Sequence, residues 1–279
     1  MKNQKILVVA AVVIASMATV QAQTITAWQF DNDYVAPVAP ALDYNASPAP
    51  ATGSGVATAL GMSNTYNNTN SISNPDILSS SGSSTAALPY AWRVRGAGTG
   101  TSAGNGWSSL APIASQGASF AASTAGYNTI NVSVDIDTTA QAERNLAILY
   151  TLNDAVGSPS WLNATLTSAG NLGSIVNNTT SANTISGNYV QLGSGWNNLI
   201  TASIPGAQDD ANFAIEIVNA STGADTVNIS GAALNNTSGN WRYDNVIISG
   251  TVDAPEPSSL ALAGIGLTSL LAYRRSRKA

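Results

Sequence analysis

The residues that could carry chemistry are few, and the most telling are those the chain lacks. None of the 279 residues is His or Cys. That excludes a Ser-His-Asp or Cys-His nucleophile, an imidazole base and an ordinary zinc site. Between Gln23 and Ala254 there is no Lys either, which removes a Ser-Lys dyad. Carboxylates remain. Asp135 and Asp137 lie two apart in an alternating stretch, so their side chains point the same way. A glycosidase needs two carboxyls roughly 5 to 9 Å apart. The pair could satisfy that spacing, but nothing else in the sequence marks a cleft, and a solvated strand face is the reading preferred. Arg242 and Asp244 also share a face and are expected to form an ion pair of little net energy. Asp and Asn supply oxygen donors suited to calcium, but no Asp-x-Asp-x-Asp-Gly loop occurs. The sequence therefore assigns no catalytic residue, no metal ligand and no cofactor.

Aromatic rings offer a second kind of chemistry, because their flat faces stack on pyranose sugars. Trp92, Trp107, Trp161, Trp196 and Trp241 follow no repeat. Each reads either as core packing or as a stacking platform. Asn-x-Ser/Thr triplets begin at Asn131, Asn163 and Asn228, among others, and richness in Asn and Ser alone generates them. They read as polar faces.

The elements that must position these residues are strands. Thr24 to Phe30 alternates, with Trp28 and Phe30 on one face. Ile130, Val132, Val134 and Ile136 should face a core, with Asn131, Ser133, Asp135 and Asp137 exposed. Arg144 to Leu152 alternates in the same way. Further strands are expected at Trp161–Thr167, Tyr189–Leu192, Trp196–Ile204, Asn212–Asn219 and Trp241–Ser249. Turn residues such as Asn153-Asp154 and Gln208-Asp209-Asp210 separate them. Residues 35–88, rich in Ala and Pro and then in Ser and Asn, read as long loops, with one edge strand near Gly55–Leu60. Short alternating strands without a helix between them make an all-β, antiparallel sandwich.

Both ends of the chain carry addresses. Lys2 and Lys5 precede an apolar run from Ile6 to Ala18, and Val20 and Ala22 stand at the −3 and −1 positions of a signal-peptidase site. Residues 1–22 read as a signal peptide helix, with cleavage between Ala22 and Gln23. At the other end, Pro255-Glu256-Pro257 precedes an uncharged segment from Ser258 to Tyr273. Arg274, Arg275, Arg277 and Lys278 follow it. At about 1.5 Å per residue that segment is a slightly short single transmembrane helix, with its basic end retained in the cytoplasm.

The triplet, the Gly-containing apolar helix (Gly264, Gly266) and the Arg cluster together resemble the sorting signal of the PEP-CTERM proteins. The resemblance implies that Pro255, Glu256, Pro257, Arg274, Arg275 and Arg277 form the sorting motif. It also implies an exosortase-type membrane protease as the partner that processes it, with release toward an extracellular polysaccharide matrix. The middle is similar to β-sandwich ectodomains found in such proteins, on three stretches: Thr52-Gly53-Ser54-Gly55-Val56-Ala57, Ser123 to Ile130, and Asn240 to Val246. That likeness implies a jelly-roll-like topology, in which related sandwiches often bind carbohydrate.

The chain is thus expected to comprise a signal peptide (1–22), a sandwich ectodomain (23–252) and a sorting tail (253–279). Fourteen acidic and four basic residues between Gln23 and Ala254 leave the ectodomain near −10, which argues against nucleic acid and anionic membrane surfaces as partners. The expected partners are signal peptidase, the exosortase-type protease, the membrane through the tail helix, and extracellular polysaccharide. The expected protein is non-enzymatic, exported by a bacterium, transiently anchored in its membrane and then held at its surface or in its matrix. The competing reading is a carboxylate-dependent glycoside hydrolase or lyase.

Overall fold

The computed structural model of the chain describes residues 21–30, 48–61, 91–95, 107–108, 111–172, 181–220, 227–236 and 239–253. In chain order the first strands are β1 (Ala22–Trp28), β2 (Val56–Leu60), β3 (Trp92–Arg95), β4 (Trp107–Ser108), β5 (Gly117–Ala121), β6 (Tyr127–Thr138), β7 (Asn145–Thr151) and β8 (Leu162–Asn163). They are followed by β9 (Thr165–Leu172), β10 (Ser181–Ala182), β11 (Thr184–Ser186), β12 (Tyr189–Gln191), β13 (Gly195–Ser203), β14 (Ala214–Asn219), β15 (Asn235–Asn236) and β16 (Asn240–Val252). No helix lies among the described residues. The helices expected for the signal peptide and the sorting tail fall on residues outside the described ones, apart from residues 21 and 22, of which Ala22 opens β1.

Two antiparallel sheets enclose one core. The first has the order β1-β16-β6-β13-β9-β10, with β3 also on β16; the second has β11-β12-β7-β14-β5-β2, with β8 also on β7. The chain passes from sheet to sheet along β5, β6, β7, β9, β12, β13, β14 and β16. Nearly every hairpin partner is therefore distant in sequence. Inward positions alternate as apolar patterning requires: Ile130, Val132, Val134 and Ile136 of β6 are all fully buried. A run of rings fills the interior between the sheets. Trp28 meets Phe120 at 5.2 Å, Phe120 meets Tyr243 at 5.8 Å, and Trp107 meets Trp241 at 4.5 Å. Such pairs add about 0.5–1.5 kcal/mol each beyond the area they bury. The Tyr243 hydroxyl donates to the Ile217 carbonyl at 3.1 Å, and burial raises its pKa well above the ordinary tyrosine value.

The structure departs from the sequence expectations in three instructive places. The strand expected at Trp161–Thr167 is two strands, β8 in the second sheet and β9 in the first, with the chain crossing over at the buried Ala164. Gly117–Ala121 forms β5, in the interior of the second sheet between β14 and β2, although the sequence reading passed over it. Its glycine is obligatory: Gly117 has φ 151°, and a Cβ there would lie 2.1 Å from the Ile217 carbonyl oxygen. Third, the outward set of β6 is not simply exposed. Asn131 and Ser133 are half-buried, and Asp135 is 3 % exposed.

Asp135 is buried by a neighbour's irregularity. The β13–β6 pairing slips between Asn197 and Ile200, and Leu199 takes φ 59° in the bulge. That turns the Leu199 amide toward Asp135 Oδ1, which accepts its proton at 2.7 Å. The opposite oxygen accepts from the Asn245 side chain at 2.9 Å, at the matching slip between β16 and β6.

Candidate functional site

The carboxylates and rings singled out for chemistry are largely spent on holding the sandwich together. Asp135 and Asp137 share a face as expected, but each has a structural partner. Asp135 is bonded as above, and Asp137 forms an ion pair with Arg242. Among the described residues the ion pair found for Arg242 is with Asp137 and not with Asp244. Arg242 stands directly opposite Asp137 in the β16–β6 register, and Asp244 Oδ1 instead accepts the Asn245 amide at 2.8 Å. Directly opposed residues are about 5 Å apart, whereas residues two apart on one strand are separated by roughly 6.6 Å, so the cross-strand partner wins. Trp92, Trp107 and Trp241 are buried and cannot stack on a sugar. Trp161 and Trp196 are half-buried and keep part of a ring at the surface. Trp196 lies opposite Asp137, so Trp196, Asp137 and Arg242 form one row across β13, β6 and β16. Among the sequon asparagines, Asn163 is exposed, but Asn228 is buried and its Oδ1 accepts the Ala232 amide at 3.0 Å.

A carboxylate the sequence reading missed has a strongly raised pKa. Glu216 sits mid-strand on β14, opposite Ser119 and Leu149 on the outward side of the second sheet, and is 8 % exposed. Its pKa is raised from 4.5 to about 7, first by burial and second by the nearby charge of Asp154. The only sequence signal was a lone charge at the centre of Ala-Ile-Glu-Ile-Val, an otherwise apolar strand.

The end of the sandwich from which the chain leaves is the best-built candidate site. There β6 and β7 begin or end beside the loop 204–213, the turn 122–126, the start of β1 and the end of β16. Thr124 stitches turn to loop: its hydroxyl donates to the Ala207 carbonyl at 2.5 Å and accepts the Asp210 amide at 3.0 Å. The Gly126 amide donates to Asp209 Oδ1 at 2.9 Å, and the Asp209 amide to the Tyr127 carbonyl at 3.0 Å. A cleft of about 650 Å³ opens between Asn128, Ser203, Pro205, Gln208 and Thr251, and carries no aromatic or charged side chain. A second, of about 270 Å³, lies beside Ser54, Ser123, Asp154 and Asn212. Asp154, Asp209, Asp210 and Asp253 gather at this end, with no basic residue near them among the described ones. Arg144 and Arg242 stand at the opposite end, at the start of β7 and of β16.

Of the expected processing residues, Ala22 and Gln23 open β1 and are exposed. Ala22 pairs with Thr251, Gln23 with Gly250 and Thr24 with Ser249. Pro255, Glu256, Pro257, Arg274, Arg275 and Arg277 lie outside the described residues. The last described residue, Asp253, is pinned: its amide donates to the Gly126 carbonyl at 3.0 Å and its carboxylate accepts from the Asn128 side chain.

Residues 253–278 match the PEP-CTERM protein-sorting motif, beginning at the residue where the sandwich ends. The chain carries that motif, which implies an exported protein sorted by an exosortase. No match was found among curated proteins. Among solved structures the chain is similar to the CBM22-1–GH10 modules of Clostridium thermocellum endo-1,4-beta-D-xylanase 10B, complexed with xylohexaose. Identity is 13 % over 54 % of this chain and 22 % of that one, with a TM-score of 0.26. The chain thus spans about a fifth of that structure's length, and a likeness so slight carries no argument about fold or ligand.

Proposed function

We propose that the chain is a non-catalytic surface or matrix protein: a signal peptide to residue 22, a jelly-roll-like sandwich from 23 to 252, and a sorting tail that anchors it until an exosortase-type protease cuts near Pro255–Pro257. The observation that carries this reading is the direct run of β16 into the sorting motif at 253. The domain is delivered with its acidic end toward the membrane. Like charge at that end favours standing clear of anionic headgroups once the tail is cut. Trp161 and Trp196 are the rings left for polysaccharide, and a sandwich near −10 suits neutral or cationic chains. Mass spectrometry of protein released by the native host tests the tail: the expected C-terminus lies near residues 255–257, and recovery of the Lys278-Ala279 peptide on released protein overturns it. Co-sedimentation with insoluble polysaccharide tests the ligand class, with no retention as the refuting result.

A hydrolytic reading keeps one favourable observation, the raised pKa of Glu216 beside Asp154, which is what a general acid needs. Release of reducing ends from polysaccharide by the native protein and not by Glu216→Gln would establish it.

A further inference from the structure

The register of β1 on β16 fixes the order of events in this chain's maturation. We propose that cleavage between Ala22 and Gln23 is confined to the time before β16 joins the sheet, because the folded sandwich itself withdraws that bond from signal peptidase. The proposal rests on the reading of Ala22–Gln23 as the cleavage site.

The bond lies inside a ladder. Ala22, Gln23 and Thr24 are paired with Thr251, Gly250 and Ser249, which places each pair of Cα atoms about 5 Å apart. A protease needs its substrate extended and detached for several residues on both sides of the bond. Here those residues are a strand of the sheet, so cutting requires β1 to open first. The closure is tight on the inner side too. A Cβ at Gly250 would stand 2.9 Å from the Asn128 carbonyl oxygen and Ile130 Cδ1, and 3.1 Å from Ile25 Cδ1. Only glycine lets β16 seat between β1 and β6 at this point. Just beyond, Asp253 is bonded to Gly126 and Asn128. The same few residues therefore seal the new N-terminus and the stem of the sorting tail.

Chain order gives the window. β16 is the last strand, and it is also the neighbour of β1, β3 and β6. The first sheet cannot close until residues 240–252 have been made, more than 200 residues after Ala22. At about 5–20 residues per second that leaves roughly 10–40 s in which β1 has no partner. Hydrolysis in that interval consumes one water, leaves a carboxylate on Ala22 and a free amine on Gln23, and the shortened strand then pairs. A chain that folds uncut keeps its leader.

The test uses full-length chain made with signal peptidase inhibited, purified in detergent, and then exposed to the purified peptidase either folded or in urea the enzyme tolerates. A second chain carries an eight-residue Gly/Ser insertion between Thr24 and Ile25, which moves the intact cleavage site off the sheet and leaves the rest of β1 in place. The folded native chain should be cut about 30-fold more slowly than the folded insertion chain. That ratio corresponds to ~2 kcal/mol at 1.4 kcal/mol per tenfold, the size of three net hydrogen bonds. Equal rates, with the cut at Ala22–Gln23, overturn the proposal and leave the cleavage-site reading standing. A cut at any other bond in the unfolded chain overturns the cleavage-site reading and the proposal with it.

Discussion

Replacing Glu216 with Gln should stabilise the sandwich at neutral and alkaline pH and change little near pH 5. The carboxyl sits in a strand whose neighbours are all buried, and it titrates near 7 when folded against 4.5 when unfolded. The folded state therefore holds its proton more tightly. The stabilisation this gives is present below about 4.5 and is lost as pH rises through about 7. At ~1.4 kcal/mol per pKa unit, full coupling would cost the ionised protein about 3–4 kcal/mol. The carboxyl lies on the outer side of its sheet, where solvent screens part of the penalty, so about 1–2 kcal/mol is the expected size. For a domain of this length that is roughly 3–6 °C in melting temperature. Thermal unfolding of the mature protein followed by circular dichroism at pH 5 and pH 8 measures it. Gln, which mimics the protonated acid, should raise the midpoint at pH 8 only. An equal change at both pH values would show that packing and not ionisation decides the effect. Asp154→Asn should move the native protein's transition to lower pH by less, since charge repulsion is the smaller of the two causes.

Other substitutions test the core, the bulge and the tail. Phe120→Ala removes a ring that contacts Trp28, Trp92 and Tyr243, and should cost about 3–5 kcal/mol in denaturant unfolding. Asp135→Ala strands the Leu199 amide and removes one of the acceptors of the Asn245 side chain, and should cost about 1–3 kcal/mol, with Asp135→Asn recovering part of it. Trp196→Ala should weaken retention on polysaccharide without lowering the melting temperature, because the ring is only half-buried. Replacing Glu256, or the Arg274-Arg275 pair, should make full-length protein accumulate in the membrane fraction, as read by immunoblotting of fractionated cells.

How much of this was legible in the sequence follows from which interactions are local. Strands with bulky alternation declared themselves: β6 and β7 lie within a residue of where the pattern of Ile, Val and Leu puts them. The pairing of Trp28 and Phe30 on one face also held, and both are buried. β5 did not declare itself, because Gly-Ala-Ser-Phe-Ala has one large side chain and its burial depends on β14 and β2 lying on either side. Nor did the change of sheet at Ala164. A crossover leaves no mark when both halves alternate, and its sign is the small buried residue at the joint.

The candidate site was less legible than the fold for a related reason. Spacing along one strand correctly put Asp135 and Asp137 on one face, but it misdirected Arg242 to Asp244. What each carboxylate does is set by the strand beside it: the bulge at Leu199 buries Asp135, and the β16–β6 register gives Arg242 to Asp137. Those are register facts, and register is decided by pairing between segments about 60 to 110 residues apart. The same rule governs the two ends. Ala22 borders the signal peptide expected at one end and residue 253 opens the sorting motif at the other, yet the sheet pairs Ala22 with Thr251, two residues short of that motif. The cleavage site proposed at Ala22–Gln23 thereby lies in the sheet whose last described strand leads into the sorting motif. The first sheet cannot close until β16, the last strand among the described residues, has been made, and β16 leads straight into the sorting motif.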